Sequence, residues 1–155
     1  KISLVDLQIK ILNKRSWKKI ITPILSLFLV TFISSAMALT PGDDPADAKY
    51  PEGAKIYAAK CVACHQVNGM GIPSAFPPLK NSDYLFADKK RAVEQVLNGS
   101  HEEMIVNGVT YNLPMAYQVD THKNAVDVIN YVLNAWGNKG GEITLDEVKD
   151  IKIIR

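Results

Sequence analysis

"AAKCVACHQV", residues 58–67, places two cysteines three positions apart with a histidine directly after the second, and the chain has no other cysteine. Cys61, Cys64 and His65 could serve as a disulfide or redox-active dithiol, as half of a metal site, or as the attachment point of a larger group. The flanking residues separate these uses. Upstream, "PEGAKIYAAKC" opens with Pro51, suited to a first helical position because its missing N–H costs nothing there, and predicts a short helix running into the cysteines. Downstream, residues 66–82, "QVNGMGIPSAFPPLKNS", hold two glycines and three prolines without a sustained period and predict an irregular loop. A redox dithiol of the thioredoxin kind expects strands on both sides of its helix, and none are signalled here. A closed zinc site needs about four ligands, usually with a second pair at short spacing, while His101 and His122 stand alone and far apart.

C-x-x-C-H is also the pattern of covalent haem attachment, and its spacing has a physical reason. Two thiols about one helical turn apart can reach two vinyl edges of one porphyrin, and His65 presents its imidazole to the iron from the same turn. A second axial ligand is then expected downstream. Met70 lies only five residues past His65, too near to reach the opposite face, and Met104 sits in the polar run "SHEEMI". Met115, in "NLPMAY" and 50 residues past His65, follows Pro114 and is the expected ligand. His101 and His122, among polar neighbours, are expected to be solvated surface residues.

The chain has 155 residues, 47% hydrophobic and 22% charged, enough for one domain. Its net charge of +2 is unevenly placed. Six of the 18 basic and one of the 16 acidic residues fall in residues 1–38, so the remaining 12 and 15 leave −3 from Leu39 onward. No nucleic-acid surface is implied. The basic stretch ending "KRSWKK" runs into "IITPILSLFLVTFI" and then "SSAMA", which reads as a signal peptide over residues 1–38 cleaved after Ala38. Residues 20–38, uncharged and 19 long, could instead persist as a membrane anchor. Either way the rest is delivered to the periplasm or the outer face of the membrane. Residues 39–49, rich in Pro, Gly and Asp, predict a flexible linker ahead of a domain over 50–155.

Within that domain Asp88 can cap "KKRAVEQVLN", with Ala92, Val93, Val96 and Leu97 on one face and Gly99 past its end. Asn107-Gly108 between residues of strand character predicts a hairpin. Asp120 or Thr121 opens "HKNAVDVINYVLNAW", where Ala125, Val128, Ile129, Val132 and Leu133 recur at helical spacing. Thr144 and Glu147 stand in capping-box relation, so a last short helix follows. The expectation is an all-α fold of about four to five helices around one haem, with a small hairpin before the methionine segment.

Residues 50–140 resemble the class I c-type cytochromes, small monohaem proteins that carry single electrons. Gly53 and Tyr57 stand where that family crosses its first helix closely against its last, and Val128 and Tyr131 look like the matching contacts. "FPPL" resembles the segment whose proline carbonyl accepts a hydrogen bond from the haem-ligating imidazole, a role that would fall to Pro77 or Pro78, with Leu79 on the ring. "LPMAY" looks like the methionine loop, although many relatives carry Met-Pro where this chain has Pro114 then Met115. The resemblance implies haem c held through two thioethers, His65 and Met115 as axial ligands, and redox proteins as partners, with the chain a monomer or a subunit of a complex. Ile72, Phe76, Leu79, Leu85, Ile105, Val132 and Trp136 would form the apolar shell. The alternatives are a haem peroxidase or gas sensor, which needs an open sixth position, and a membrane-anchored subunit of a larger oxidoreductase.

Overall fold

The computed structural model describes residues 44–155. The expected signal peptide, its cleavage after Ala38, the alternative anchor over 20–38 and the start of the linker lie outside the described residues. Among the described residues no helix is long and apolar enough to cross a membrane.

Among the described residues, seven α-helices and one hairpin follow in chain order: α1 (Pro45–Lys49), α2 (Pro51–Lys60), α3 (Val62–His65), α4 (Asp83–Ala87), α5 (Lys89–Asn98), β1 (Met104–Val106), β2 (Val109–Tyr111), α6 (His122–Asn134), a 3-10 turn (Ala135–Gly137) and α7 (Leu145–Val148). The extra helices beyond the four to five expected are single turns. One of them corrects the linker. Asp44 accepts from the Ala46 N–H and caps α1, Ala46 is buried, and the Asp44 carboxylate also accepts from the Trp136 N–H, so residues 44–49 belong to the folded domain. The other, α4, is capped by the buried Ser82, whose hydroxyl accepts from the Leu85 N–H at 3.2 Å.

The longer helices follow their sequence signals. Asp88 caps α5, Thr121 caps α6, and the apolar residues expected on their inner faces are all buried. In the hairpin Met104, Ile105 and Val106 pair antiparallel with Tyr111, Thr110 and Val109. Asn107 and Gly108 form its turn at φ 50° and 78°. Thr144 and Glu147 form the capping box of α7.

The core sits where α2 crosses α6. A Cβ on Gly53 would fall 2.2 Å from the Asp127 carbonyl oxygen and 2.7 Å from Tyr131 Cβ, so only glycine permits this approach. Tyr131 is thus the contact that the family resemblance implies, but its neighbour there is Asp127. Val128 instead lines the cavity described below. Tyr57, Tyr131 and Trp136 stack around the crossing, with ring centroids 5.0 to 5.9 Å apart. Trp136 takes φ 57° and so breaks the helical course that the spacing predicts to continue through it. Its indole N–H donates to the Val67 carbonyl at 2.9 Å, and its bulk packs against the aromatic cluster.

Candidate haem site

α2 carries the chain into Cys61, and α3 is the turn that holds Cys64 and His65. The loop after it is irregular but well tied. The Gly71 N–H donates to the His65 carbonyl at 3.0 Å, and the Leu79 and Lys80 N–H groups both donate to the Gly69 carbonyl at 2.8 and 2.9 Å. Asn138, 6% exposed, donates to the Leu79 and Val132 carbonyls and accepts from the Asn81 N–H, clipping the loop to the end of α6. Its place could be read only as an asparagine past a helix end.

This frame delivers Pro77 to the histidine. His65 Nδ1 lies 2.9 Å from the Pro77 carbonyl oxygen. A carbonyl can only accept, so Nδ1 carries the proton and Nε2 keeps the lone pair that a metal requires. Burial pushes the His65 imidazole below its ordinary value, with the Pro77 bond opposing, and the neutral ring is the ligating form. Of the two prolines left open by the sequence, Pro77 makes the bond, and Pro78 lines the cavity beside it.

Cys61, Cys64, His65, Pro77, Pro78, Leu79 and Met115 all line one cavity of about 310 Å³. That volume falls within the roughly 300–1,000 Å³ of cofactor sites. Phe76, Leu85 and Val132 line it as expected. Ile72, Ile105 and Trp136 do not: Ile72 is exposed in the loop after α3, Ile105 is 61% exposed because strands of three residues leave one hairpin face in solvent, and Trp136 belongs to the aromatic cluster. Val96, Val106, Tyr111, Val128 and Ile129 take their places. Met70 is exposed and does not line the cavity. Met104, half-buried at the start of β1, lines the cavity together with Met115, so two thioethers reach it. The expectation for His101 holds, since it is exposed. His122 differs: it is half-buried, with Nε2 2.8 Å from the Ile151 carbonyl.

One edge of the cavity is polar. The Arg91 guanidinium lies 3.6 Å over the Tyr84 ring and donates to the Tyr84 carbonyl, while its Nε is buried without a partner. Gln95 Nε2 reaches the Tyr84 hydroxyl at 3.1 Å and Ser100 Oγ at 3.3 Å. An apolar pocket with one unpaired cationic donor at its edge suits a flat apolar macrocycle that bears carboxylates, so the donor set fits a haem. Arg91 and Gln95, four apart on α5, were a legible polar pair beside the Ala92–Val96 face.

The competing uses of the cysteines fare worse. Burial, reinforced by Cys64, pushes the Cys61 thiol up to about 12, opposite to the lowered value that a redox-active dithiol needs. Among the described residues no cluster of three His, Cys, Asp or Glu side chains could hold a metal ion.

Comparison with known proteins agrees with this chemistry. The cytochrome c family profile matches residues 50–136, and the chain belongs to that family. It is a class I monohaem c-type cytochrome, an electron carrier whose cofactor is one covalently bound haem c. The chain is 36% identical over 111 residues to a cytochrome c-552 of Thermus thermophilus, a match covering 65% of this chain and 84% of the relative. It is also 24% and 26% identical over 110 residues to the cytochrome c subunits of quinone alcohol dehydrogenases from Gluconobacter oxydans and Gluconacetobacter polyoxogenes, covering 64% of this chain and 22% of each subunit.

Proposed function

We propose that Cys61 and Cys64 form the two thioethers, that His65 and Met115 are the axial ligands, and that the chain works outside the cytoplasm by passing electrons between redox proteins rather than as an enzyme. One observation carries this reading: the cysteine pair, the free Nε2 of His65 and the Met115 thioether all face one apolar cavity. The haem, when bound, supplies an iron that exchanges one electron between Fe(II) and Fe(III). The chain supplies the rest. Pro77 fixes the ring and tautomer of His65, a second-sphere bond of the kind that orients a ligand and raises its basicity. Leu79, Leu85, Val96 and Val132 exclude water and keep the site at low dielectric, which disfavours the more charged iron and raises the potential, as does a thioether ligand.

Met115 is favoured over Met104 by its place in "LPMAY", which resembles the family's methionine loop, and its main chain is held by reciprocal bonds with Ser100, N to O at 2.8 Å each way. Residues 1–38 act as the export signal, and the domain extends back beyond Tyr50 to include residues 44–49. A role as a subunit of a larger oxidoreductase is supported by the likeness to the alcohol dehydrogenase cytochrome subunits. A peroxidase or gas sensor is disfavoured because Met115 lines the cavity and, as axial ligand, would close the sixth position.

The test is the near-infrared sulfur-to-iron charge-transfer band of the purified ferric protein. Met115→Leu is expected to abolish it and to open the reduced protein to carbon monoxide, while Met104→Leu keeps it. Loss with Met104→Leu alone would move the ligand to Met104. Wild-type protein that has no band and binds carbon monoxide would favour the enzyme or sensor reading.

A further inference from the structure

After α7 the chain returns over the methionine segment. Asn98, the last residue of α5, donates from Nδ2 to the Lys152 carbonyl and accepts at Oδ1 from the Ile154 N–H, both at 2.8 Å. The His122 ring bonds the Ile151 carbonyl at 2.8 Å. The Arg155 guanidinium donates to the Asp120 carboxylate and, at 3.1 Å, to the Asp120 carbonyl, and lies 4.8 Å over the Tyr117 ring. Residues 151–155 thus tie together two points, position 98 and positions 117–122, that bracket Met115 in the chain.

Between those points Met115 itself is half-buried and packs against the core, but its neighbours do not. Leu113, Pro114, Ala116 and Tyr117 are exposed. Its main chain is fixed by the reciprocal pair with Ser100 and, three residues later, by the Gln118 and Val119 N–H groups on the Val96 carbonyl. Gly99 fits between these fixings because a Cβ there would lie 2.6 Å from the Met115 carbonyl oxygen. An outward swing of this segment would carry the methionine away from the iron, and the strap resists that motion at both ends of the segment.

We infer that residues 151–155 act as a latch on the sixth ligand, with Asn98 and Arg155 as positioning residues that slow the departure of Met115. The inference rests on the assignment of Met115 as axial ligand. Asn98 is the stronger half, because one side chain at the end of α5 makes both of its bonds to the strap main chain at 2.8 Å. The Arg155–Asp120 pair is largely exposed on its acidic side and contributes less.

Cyanide binding to the haem-loaded ferric protein tests it, since at saturating cyanide the limiting rate reports how often the methionine leaves. Asn98→Ala is expected to raise that rate roughly tenfold and Arg155→Ala about two- to threefold, with Arg155→Lys recovering part of the loss. Tyr50→Phe, which removes the distant bond from Tyr50 to Glu142, is expected to leave it unchanged. The latch is overturned if Asn98→Ala lowers the thermal midpoint without changing the limiting rate, or if Tyr50→Phe speeds exchange equally. Wild-type protein that lacks the sulfur-to-iron band and binds cyanide without saturation overturns the ligand assignment itself, and the latch with it.

Discussion

Residues 66–82, which bring Pro77 to the His65 ring, and the stretch around Met115 are both largely irregular, yet they are held by different means. The first is stitched internally through the Gly69 carbonyl and clipped to α6 by a buried asparagine, with an indole bonded to Val67. The second is fastened at its ends, to Ser100, to Val96 and through the strap, while Leu113, Pro114, Ala116 and Tyr117 stay exposed. A wall built into the core and a wall tied on at its edges respond to damage differently. Injury to the histidine wall is expected to cost global stability, and injury to the methionine wall to cost ligand retention.

The largest effect should come from Asn138→Ala. It strips bonds from the Leu79 carbonyl, the Val132 carbonyl and the Asn81 N–H, and polar groups left unpaired in the interior cost about 3 kcal/mol together. Denaturant unfolding should show that loss, while cyanide exchange stays at the wild-type rate. Accelerated exchange with unchanged unfolding would erase the distinction between the walls. Gly53→Ala comes next. Alanine is favoured over glycine inside a helix by about 1 kcal/mol, but here its Cβ would meet the Asp127 carbonyl oxygen, and forcing such overpacking costs about 3 kcal/mol. The clash wins, so a net destabilisation of about 2 kcal/mol is expected from the unfolding midpoint. A stabilised variant would mean that α2 and α6 can separate freely.

The histidine wall was partly legible in the sequence and the methionine wall less so. C-x-x-C-H and a following proline-rich loop are local patterns, and the Pro77 bond spans only twelve positions. α5 and α6 show helical spacing, and Asn107-Gly108 announces the hairpin, because each signal is set by nearest neighbours in the chain. What could not be read depends on distant partners. α1 is ordered by Asp44 reaching Trp136, 92 positions away, though Asp44 before Pro45 was a cap signal in plain view. Trp136 is expected in the apolar shell as an aromatic residue near the end of the last long helix, and the left-handed backbone there sends it elsewhere. His122 among polar neighbours gave no sign that the Ile151 carbonyl would return to it, and nothing in "IKIIR" marks a strap.

The smallest effect concerns α7, from which the strap emerges. The Glu147 carboxylate accepts from the Thr144 hydroxyl and main-chain N–H, both at 2.7 Å, and these bonds hold it below the usual carboxylate value, the hydroxyl contributing most. A carboxyl depressed in the folded state adds stability that is complete above its unfolded value of about 4.3 and is lost as pH falls through the lower folded value. Glu147→Gln should therefore have a lower thermal midpoint than the wild type at neutral pH, and the two curves should converge as pH drops below about 4. Since Val148 anchors α7 in the core, fraying its first turn also loosens the root of the strap. Cyanide exchange in Glu147→Gln at neutral pH should rise slightly, by less than in Arg155→Ala. A rise as large as that of Asn98→Ala would place the control of the methionine wall in the helix cap rather than in the bonds at position 98.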